Sequence, residues 1–461
     1  MEMRKMAYKS TLFRTAVAVA MAFLIISCDT EGLQIPEYPY HDAPLPTPGP
    51  SQQGGYTPST GRVPGKESRN VFLLYAAGHN NLYRALASDI EELTSGWLPN
   101  DSKTENTLLI YAHLAYRGNY SKPTSPVLMR VSSGPKGTDK KVIDTLVVYP
   151  EGTVSSSAEQ INTVLTYVKE NFPAKSYGMG FSSHSTGYLP NGYTSSHSNN
   201  DYIIMSFRQG EHQEINHLER PVPYYEADIP LSKTIGHDDI GNENYEMDLR
   251  DFARAIPMQL DYLIFDTCLM GGIEVAYELK DKCRFICFSQ AEIDVEGFDY
   301  RNMTVHLLQG KEPDPLSVCQ DYYRFYSEKP YGSATISMID CRELPALAEV
   351  CREIFTSNRE GMAKIEPHRV QKYFNYGWHW FYDLEDIIVQ AGASEQEQAS
   401  LRTALEDCVV YKANTPHCHI DSGFPIRTHS GFSMYLPCHG DEEMDIYYRT
   451  LEWNKASGLV Q

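Results

Sequence analysis

An alternation of two hydrophobic periods, beginning near residue 69, limits what this chain can fold into. The runs Val71-Phe72-Leu73-Leu74-Tyr75-Ala76 and Leu108-Leu109-Ile110-Tyr111-Ala112 have the length and apolar content of buried strands. Leu82, Leu86, Ile90 and Leu93 follow the first run at helical spacing. Ile161, Leu165 and Val168 form a second helical stripe behind a Ser157/Gln160 start signal. The pattern then repeats. A Gly-rich strand is predicted over 177–183, a helix around Leu249, Phe252 and Ile256, and an apolar strand over 260–265. A helix through Ile273, Ala276 and Tyr277 comes next, then a strand over 284–289, while 127–131 and 142–148 read as less central strands. Strands apolar on both faces and alternating with helices indicate an α/β fold with a mainly parallel sheet covered on both sides.

In such sheets ligands bind outside the carboxyl ends of the strands. His184 ends one predicted strand, and Asp266-Thr267-Cys268 ends another. If the two strands are neighbours, the imidazole and the thiol share one edge. A thiol needs a base to act as a nucleophile at neutral pH, and histidine supplies one. Ser182, Ser183, Ser185, Thr186 and Gly187 make a small polar loop around His184. Gly271 and Gly272 follow Cys268, and the N–H groups of that turn are candidate oxyanion donors. Each residue also has a plainer reading, as a core cysteine and a surface histidine. There is no G-x-S-x-G elbow and no HExxH zinc signature. Cys283 and Cys287 lie across a predicted strand, which suits packing better than metal binding.

The motifs are more specific than the periodicity. Ser182-Ser183-His184-Ser185-Thr186-Gly187-Tyr188 resembles the His motif of the clostripain-like cysteine peptidases. Phe265-Asp266-Thr267-Cys268-Leu269-Met270-Gly271-Gly272 resembles that family's nucleophile motif. The stretch from Ser289-Gln290-Ala291-Glu292 to Gly297-Phe298-Asp299-Tyr300 is similar to the region that follows it. The resemblance spans about residues 69–456. It implies a caspase-like α/β/α sandwich; no proline-rich linker divides 69–461, which reads as a catalytic region over 69–330 with an added C-terminal region over 331–461 packed on it. It implies a cysteine endopeptidase acting after Arg or Lys, with Cys268 as nucleophile, His184 handling the proton and no acidic third member. Asp266 would bind the basic side chain, and Tyr188 would offer substrate an aromatic surface. Ser185 stands where the family usually has Gly, and its N–H would be an oxyanion donor. The family often cuts itself between His and Cys. Arg208 and Lys233 are candidate sites here, whereas Pro221 disfavours a cut after Arg220. No cofactor is required for the chemistry. Calcium is a possible ligand, with Asp238, Asp239, Glu292, Asp294 and Glu296 as candidate oxygen donors. A competing reading is a surface-anchored binding protein on the same fold with reduced or lost activity, motivated by Ser185 and the irregular stretch 188–245.

The N-terminus carries a separate message. Arg4, Lys5, Lys9 and Arg14 precede the apolar run from Ala16 to Ile26, which is far short of the ~20 residues a spanning helix needs. Basic, apolar, then small residues is the order of an export signal. Ile25-Ile26-Ser27-Cys28 looks like a bacterial lipobox, so residues 1–27 would be removed and Cys28 lipidated. An ordinary secretory signal is the alternative. Residues 28–68 are dense in Pro and Gly and read as a tether. The expectation is an exported, lipid-anchored protein of the bacterial cell envelope. Its partners would be basic protein or peptide substrates and, through the lipid, a membrane. A net charge of -20 argues against nucleic acid. Besides Cys28 the chain has nine cysteines, an odd number, and its size excludes a small disulfide scaffold.

Overall fold

Alternate side chains of the first strand, β1 (Ser68–Gly78), enter two different cores, and this period of two sets the layering. Val71, Leu73, Tyr75 and Ala77 join a large cluster with the helices Ala158–Asn171, Leu249–Ala255 and Ile273–Leu279. Phe72, Leu74 and Ala76 join a smaller one with Tyr83–Ser95, Tyr300–Thr304 and Pro315–Ser327. The result is an α/β/α sandwich. The structure, a computed structural model, describes residues 68–100, 106–134, 141–190, 235–241, 243–374, 380–418, 423–437 and 442–461. All of these belong to the compact unit Tyr56–Gln461. The signal segment, Cys28, the tether up to residue 67, Arg208 and Lys233 lie outside the described residues.

In chain order the next strands are β2 (Thr107–Leu114), β3 (Val127–Ser133), β4 (Lys141–Val148), β5 (Ala174–Ser182), β6 (Ile235–Ile240), β7 (Glu243–Met247), β8 (Leu260–Asp266) and β9 (Cys283–Phe288). They are followed by β10 (Thr335–Asp340), β11 (Tyr382–Asp383), β12 (Val409–Asn414), β13 (His417–Cys418), β14 (Phe424–Pro425) and β15 (Ser433–Met434). Nine of them form one sheet in the order β12-β10-β9-β8-β5-β1-β2-β3-β4. Parallel pairing is confined to its centre, β9-β8-β5-β1-β2, and both flanks are antiparallel. The expected mainly parallel sheet therefore has antiparallel wings. For β3 and β4 the reason is plain: the link 134–140 is too short for a crossover, which needs about a dozen residues.

The chain leaves β1 through β2, β3 and β4 on one side, then returns to β5 and builds outward through β8 and β9 on the other. The β1/β5 boundary is thus the point where the strand order reverses, the usual place for a ligand site. Residues after 331 share this framework. β10 and β12 extend the sheet, and helices Leu344–Ser357, Glu395–Cys408 and Glu452–Ser457 complete the larger core. The apolar stretch 431–436 forms only the short β15, paired with β11. The chain closes with two short helices, Glu442–Tyr448 and Glu452–Ser457, separated by a turn at Arg449 and Thr450. Among the described residues no helix is long and apolar enough to cross a membrane.

Candidate active site

The register of two central strands assembles the site. β5 and β8 run parallel with Ser182 opposite Asp266, so His184 and Cys268 each lie two residues beyond paired positions, on adjacent carboxyl ends. The two exits touch: the Ser185 hydroxyl donates to the Cys268 carbonyl at 2.5 Å. The neighbouring strand β1 adds a residue that the sequence reading missed. Asn81 follows β1 by three positions, and its Oδ1 lies 2.5 Å from His184 Nε2. Its place just past a central strand, on the edge that carries His184 and Cys268, was the available signal.

The turn that carries Cys268 is held by its backbone. Leu269 adopts φ +62°, a left-handed conformation that is costly for leucine and persists only when the surroundings impose it. Leu269 N donates to Ala291 O at 3.1 Å, Gly271 N to Ser289 O at 2.6 Å, and Ser433 N to Gly271 O at 2.8 Å. A side chain at position 271 would put Cβ 2.6 Å from Gln290 N and 2.7 Å from its Cα, which is why glycine stands there. These bonds correct one expectation. The Leu269 and Gly271 amides serve the fold and are not aimed at an oxyanion. The Cys268 side chain is nearly buried, with Sγ 3.8 Å from Ile293 O. Behind the turn, Glu274 accepts bonds from Tyr448 Oη (2.6 Å) and Tyr435 N (2.9 Å) on Oε1, while Oε2 has no partner. Burial pushes its carboxyl up to about 7 against those hydrogen bonds.

The histidine loop rests on the β6–β7 hairpin. Gly236 N donates to His184 O at 2.9 Å, and Ser183 Oγ donates to Ala77 O while accepting from His237 N. The rings of His184 and His237 meet edge to face at 5.8 Å. His237 contacts Glu246 at 2.8 Å and Asp239 at 2.7 Å. Burial opposes its charge, but the bonds to the two carboxylates outweigh that and push it up to about 9. Ser185 does not sit at positive φ, so serine fits this backbone without strain. Tyr188 requires a correction: it is fully buried, donates to Trp380 O at 2.6 Å and packs on Phe381 and Tyr448. It supports the loop from below and offers substrate no surface.

Asp266 keeps part of its surface exposed. Tyr300 Oη donates to its Oδ2 at 2.6 Å, and Ser182 Oγ lies at 3.5 Å. Gly297 backs onto the carboxylate so closely that a Cβ would lie 2.7 Å away. Burial pushes this carboxyl up to about 6. Asp89, buried beneath, is raised by burial and then by repulsion from Asp266. An incoming cation would relieve both effects.

Three of the five acids considered for calcium have protein partners. Asp238 accepts from Ser156 N at 2.6 Å, Asp239 contacts His237, and Glu296 pairs with Lys329. Among the described residues no group of three His, Cys, Asp or Glu could hold a metal. Cys283 and Cys287 are core residues of β9, and the described cysteines form no disulfide.

Against known proteins, the profile of the clostripain family (Peptidase_C11) matches residues 222–457, more than half of the chain, including Cys268 but not His184. The fold is similar to the X-ray structure of an inactive zymogen C11 protease from Parabacteroides distasonis. That match has 23% identity and a TM-score of 0.67 over 86% of this chain and 99% of that one. It is also similar to a secreted C11 cysteine protease from Bacteroides thetaiotaomicron in complex with an irreversible peptide inhibitor. Here identity is 22% and the TM-score 0.64, over 85% and 99% of the two chains. No curated protein matches the chain.

Proposed function

The chain belongs to the clostripain family and is a cysteine endopeptidase, and from that premise we propose that it cuts after Arg or Lys using Cys268 and His184. The observation that carries the residue assignment is the β5/β8 register, with Ser182 opposite Asp266. In the proposed reaction His184 takes the proton of the Cys268 thiol, and the sulfur attacks the scissile carbonyl carbon. The carbonyl electron pair moves to oxygen, where the amides of Cys268 and Ser185 donate to it. Collapse of this intermediate expels the amine, which takes the proton from His184 and leaves a thioester. Water then attacks the thioester, giving its proton to His184. The thiolate leaves and recovers that proton. Asp266 holds the Arg or Lys before the scissile bond through a charge-assisted hydrogen bond. An acid there also disfavours apolar side chains, which would cover the carboxylate without supplying a counter-charge.

We also propose export with lipidation at Cys28, and a maturation cut at Lys233 or Arg208. The secreted relative and the zymogen relative support export and maturation respectively. Cys28→Ala should abolish incorporation of radiolabelled lipid, and unchanged incorporation would remove the anchor from this reading. The central test offers the full chain fluorogenic peptides ending in Arg, Lys, Leu or Asp, with and without calcium, beside Cys268→Ala. Arg or Lys peptides should be cleaved at least about a hundredfold faster than the others, and the variant should be inert. No turnover of any peptide by the folded, matured chain would sink the assignment.

A further inference from the structure

We propose that Asn81 is the positioning residue of this active site, holding His184 in the tautomer that leaves Nδ1 to exchange the proton with Cys268. The inference rests on the dyad assigned above and deepens it. A neutral imidazole has one donor and one acceptor nitrogen, and the bond made by one decides the role of the other. Asn81 Oδ1 can only accept, so at 2.5 Å from Nε2 it requires the proton on Nε2. Nδ1 makes no hydrogen bond to a described residue.

The turn that delivers Asn81 is bolted to the same hairpin that holds the His184 backbone. Asn80 is buried, and its Nδ2 donates to His237 O at 2.7 Å and to Ala77 O at 3.2 Å, while its Oδ1 accepts from Leu82 N at 2.8 Å. Asp239 N donates to His79 O at 2.8 Å, and His79 Nδ1 meets Asp239 O at 2.6 Å. Gly236, one residue before His237, bonds the His184 carbonyl. Ring and amide thus hang from one scaffold, and their separation is set by β6 together with the ends of β1 and β5.

The chemistry of an amide differs from that of an acid at this position. An amide oxygen orients the ring and fixes its tautomer without adding a full negative charge beside it. A carboxylate would orient it equally well but would also stabilise the imidazolium. Among the described residues the His184 ring meets His237, which in turn bonds Asp239 and Glu246. Losing an orienting partner of this kind costs roughly 10–100-fold where it has been measured in other sites.

The test measures turnover of the Arg and Lys peptides by the full chain, Cys268→Ala, Asn81→Ala and Asn81→Asp across about pH 5 to 9. Asn81→Ala should lower kcat by roughly 10–100-fold with KM within about twofold. The isosteric Asn81→Asp should recover most of kcat at high pH, with the acid limb of its profile moved to higher pH. A merely structural contact would shift stability and leave the profile in place. An active wild-type chain with unchanged kcat in Asn81→Ala overturns this inference alone, as does an unshifted profile in Asn81→Asp. A wild-type chain as inert as Cys268→Ala overturns the dyad assignment and this inference with it.

Discussion

The two sides of the site are held by different means. The nucleophile turn is gripped through its main chain: Leu269 and Gly271 bond the stretch after β9, and Ser433 of the C-terminal region clasps Gly271. The histidine loop is bridged to β6 through its main chain at Ser185 and Ile235, with Gly236 N bonding His184 O, and it also leans on the side chains of Asn81, Ser183, Ser185 and Tyr188. Backbone bonds survive most substitutions, whereas side-chain bonds vanish with one. The turn should therefore tolerate change except where space forbids it, and the loop should be adjustable residue by residue.

The strongest challenge to a rigid turn is Gly271→Ala. The added Cβ meets Gln290 N and Cα, which cannot rotate away, so the turn must move. A displacement of about 1 Å at the reacting atom costs on the order of a hundredfold. We expect at least that loss in kcat together with a lower Tm. An active, fully stable variant would show that the turn is softer than its bonds imply.

Asp266→Asn probes the floor of the same side. Removing the charge should lower kcat/KM for Arg and Lys peptides by about a hundredfold, the scale of a hydrogen bond to a charged group. The sign of the pH effect follows from its carboxyl, pushed up to about 6. Only the ionised form holds a cation, so kcat/KM should fall as pH drops through about 6. That acid limb should be absent in the variant. A limb that persists unchanged would assign the titration to another group.

How far each side could be read in the sequence follows the same division. Strands apolar on both faces announce a covered sheet, and the carboxyl ends of 177–183 and 260–265 pointed at His184 and Cys268. The place of Asp266 at the end of β8, two residues before Cys268, was legible from the apolar run that precedes it. Asn81 offered only its place past a strand, since its contact with His184 depends on β1 lying beside β5, a pairing absent from any local pattern. The Leu269 and Gly271 amides looked available because their acceptors, Ala291 and Ser289, lie beyond a helix and a strand. The surface that the resemblance implied for Tyr188 fails for a related reason: burial and Trp380 O, distant in sequence, take the ring and its hydroxyl. Antiparallel wings went unseen because periodicity reports burial and carries no strand direction.

Behind the turn, Glu274 tests whether rigidity carries a pH cost. Its folded-state carboxyl is raised from 4.5 to about 7 by burial. Below about pH 4.5 it is protonated in both states and its contribution is fully present. Between about 4.5 and 7 the unfolded chain ionises first, so this contribution is lost as pH rises, by up to about 3 kcal/mol. Glu274→Gln keeps an oxygen for Tyr448 and Tyr435 and cannot ionise. In denaturant titrations its stability relative to wild type should improve from about pH 4.5 to pH 7 and stay level above. A constant difference across that range would remove Glu274 from the pH response.

The smallest effect should come from the contact that joins the two sides, Ser185 Oγ to Cys268 O. Ser185→Ala removes the bond but keeps the amide proposed to face the oxyanion. The loss should be about 1 kcal/mol, near fivefold in kcat, with KM unchanged. Ser185→Gly should lose somewhat more, because glycine also frees the loop backbone. Neither should lower Tm as Gly271→Ala does, since the turn keeps its backbone bonds when the strap is cut. If Ser185→Ala instead lost as much kcat and stability as Gly271→Ala, the turn would depend on the loop for its shape, and the two sides would have to be treated as one unit.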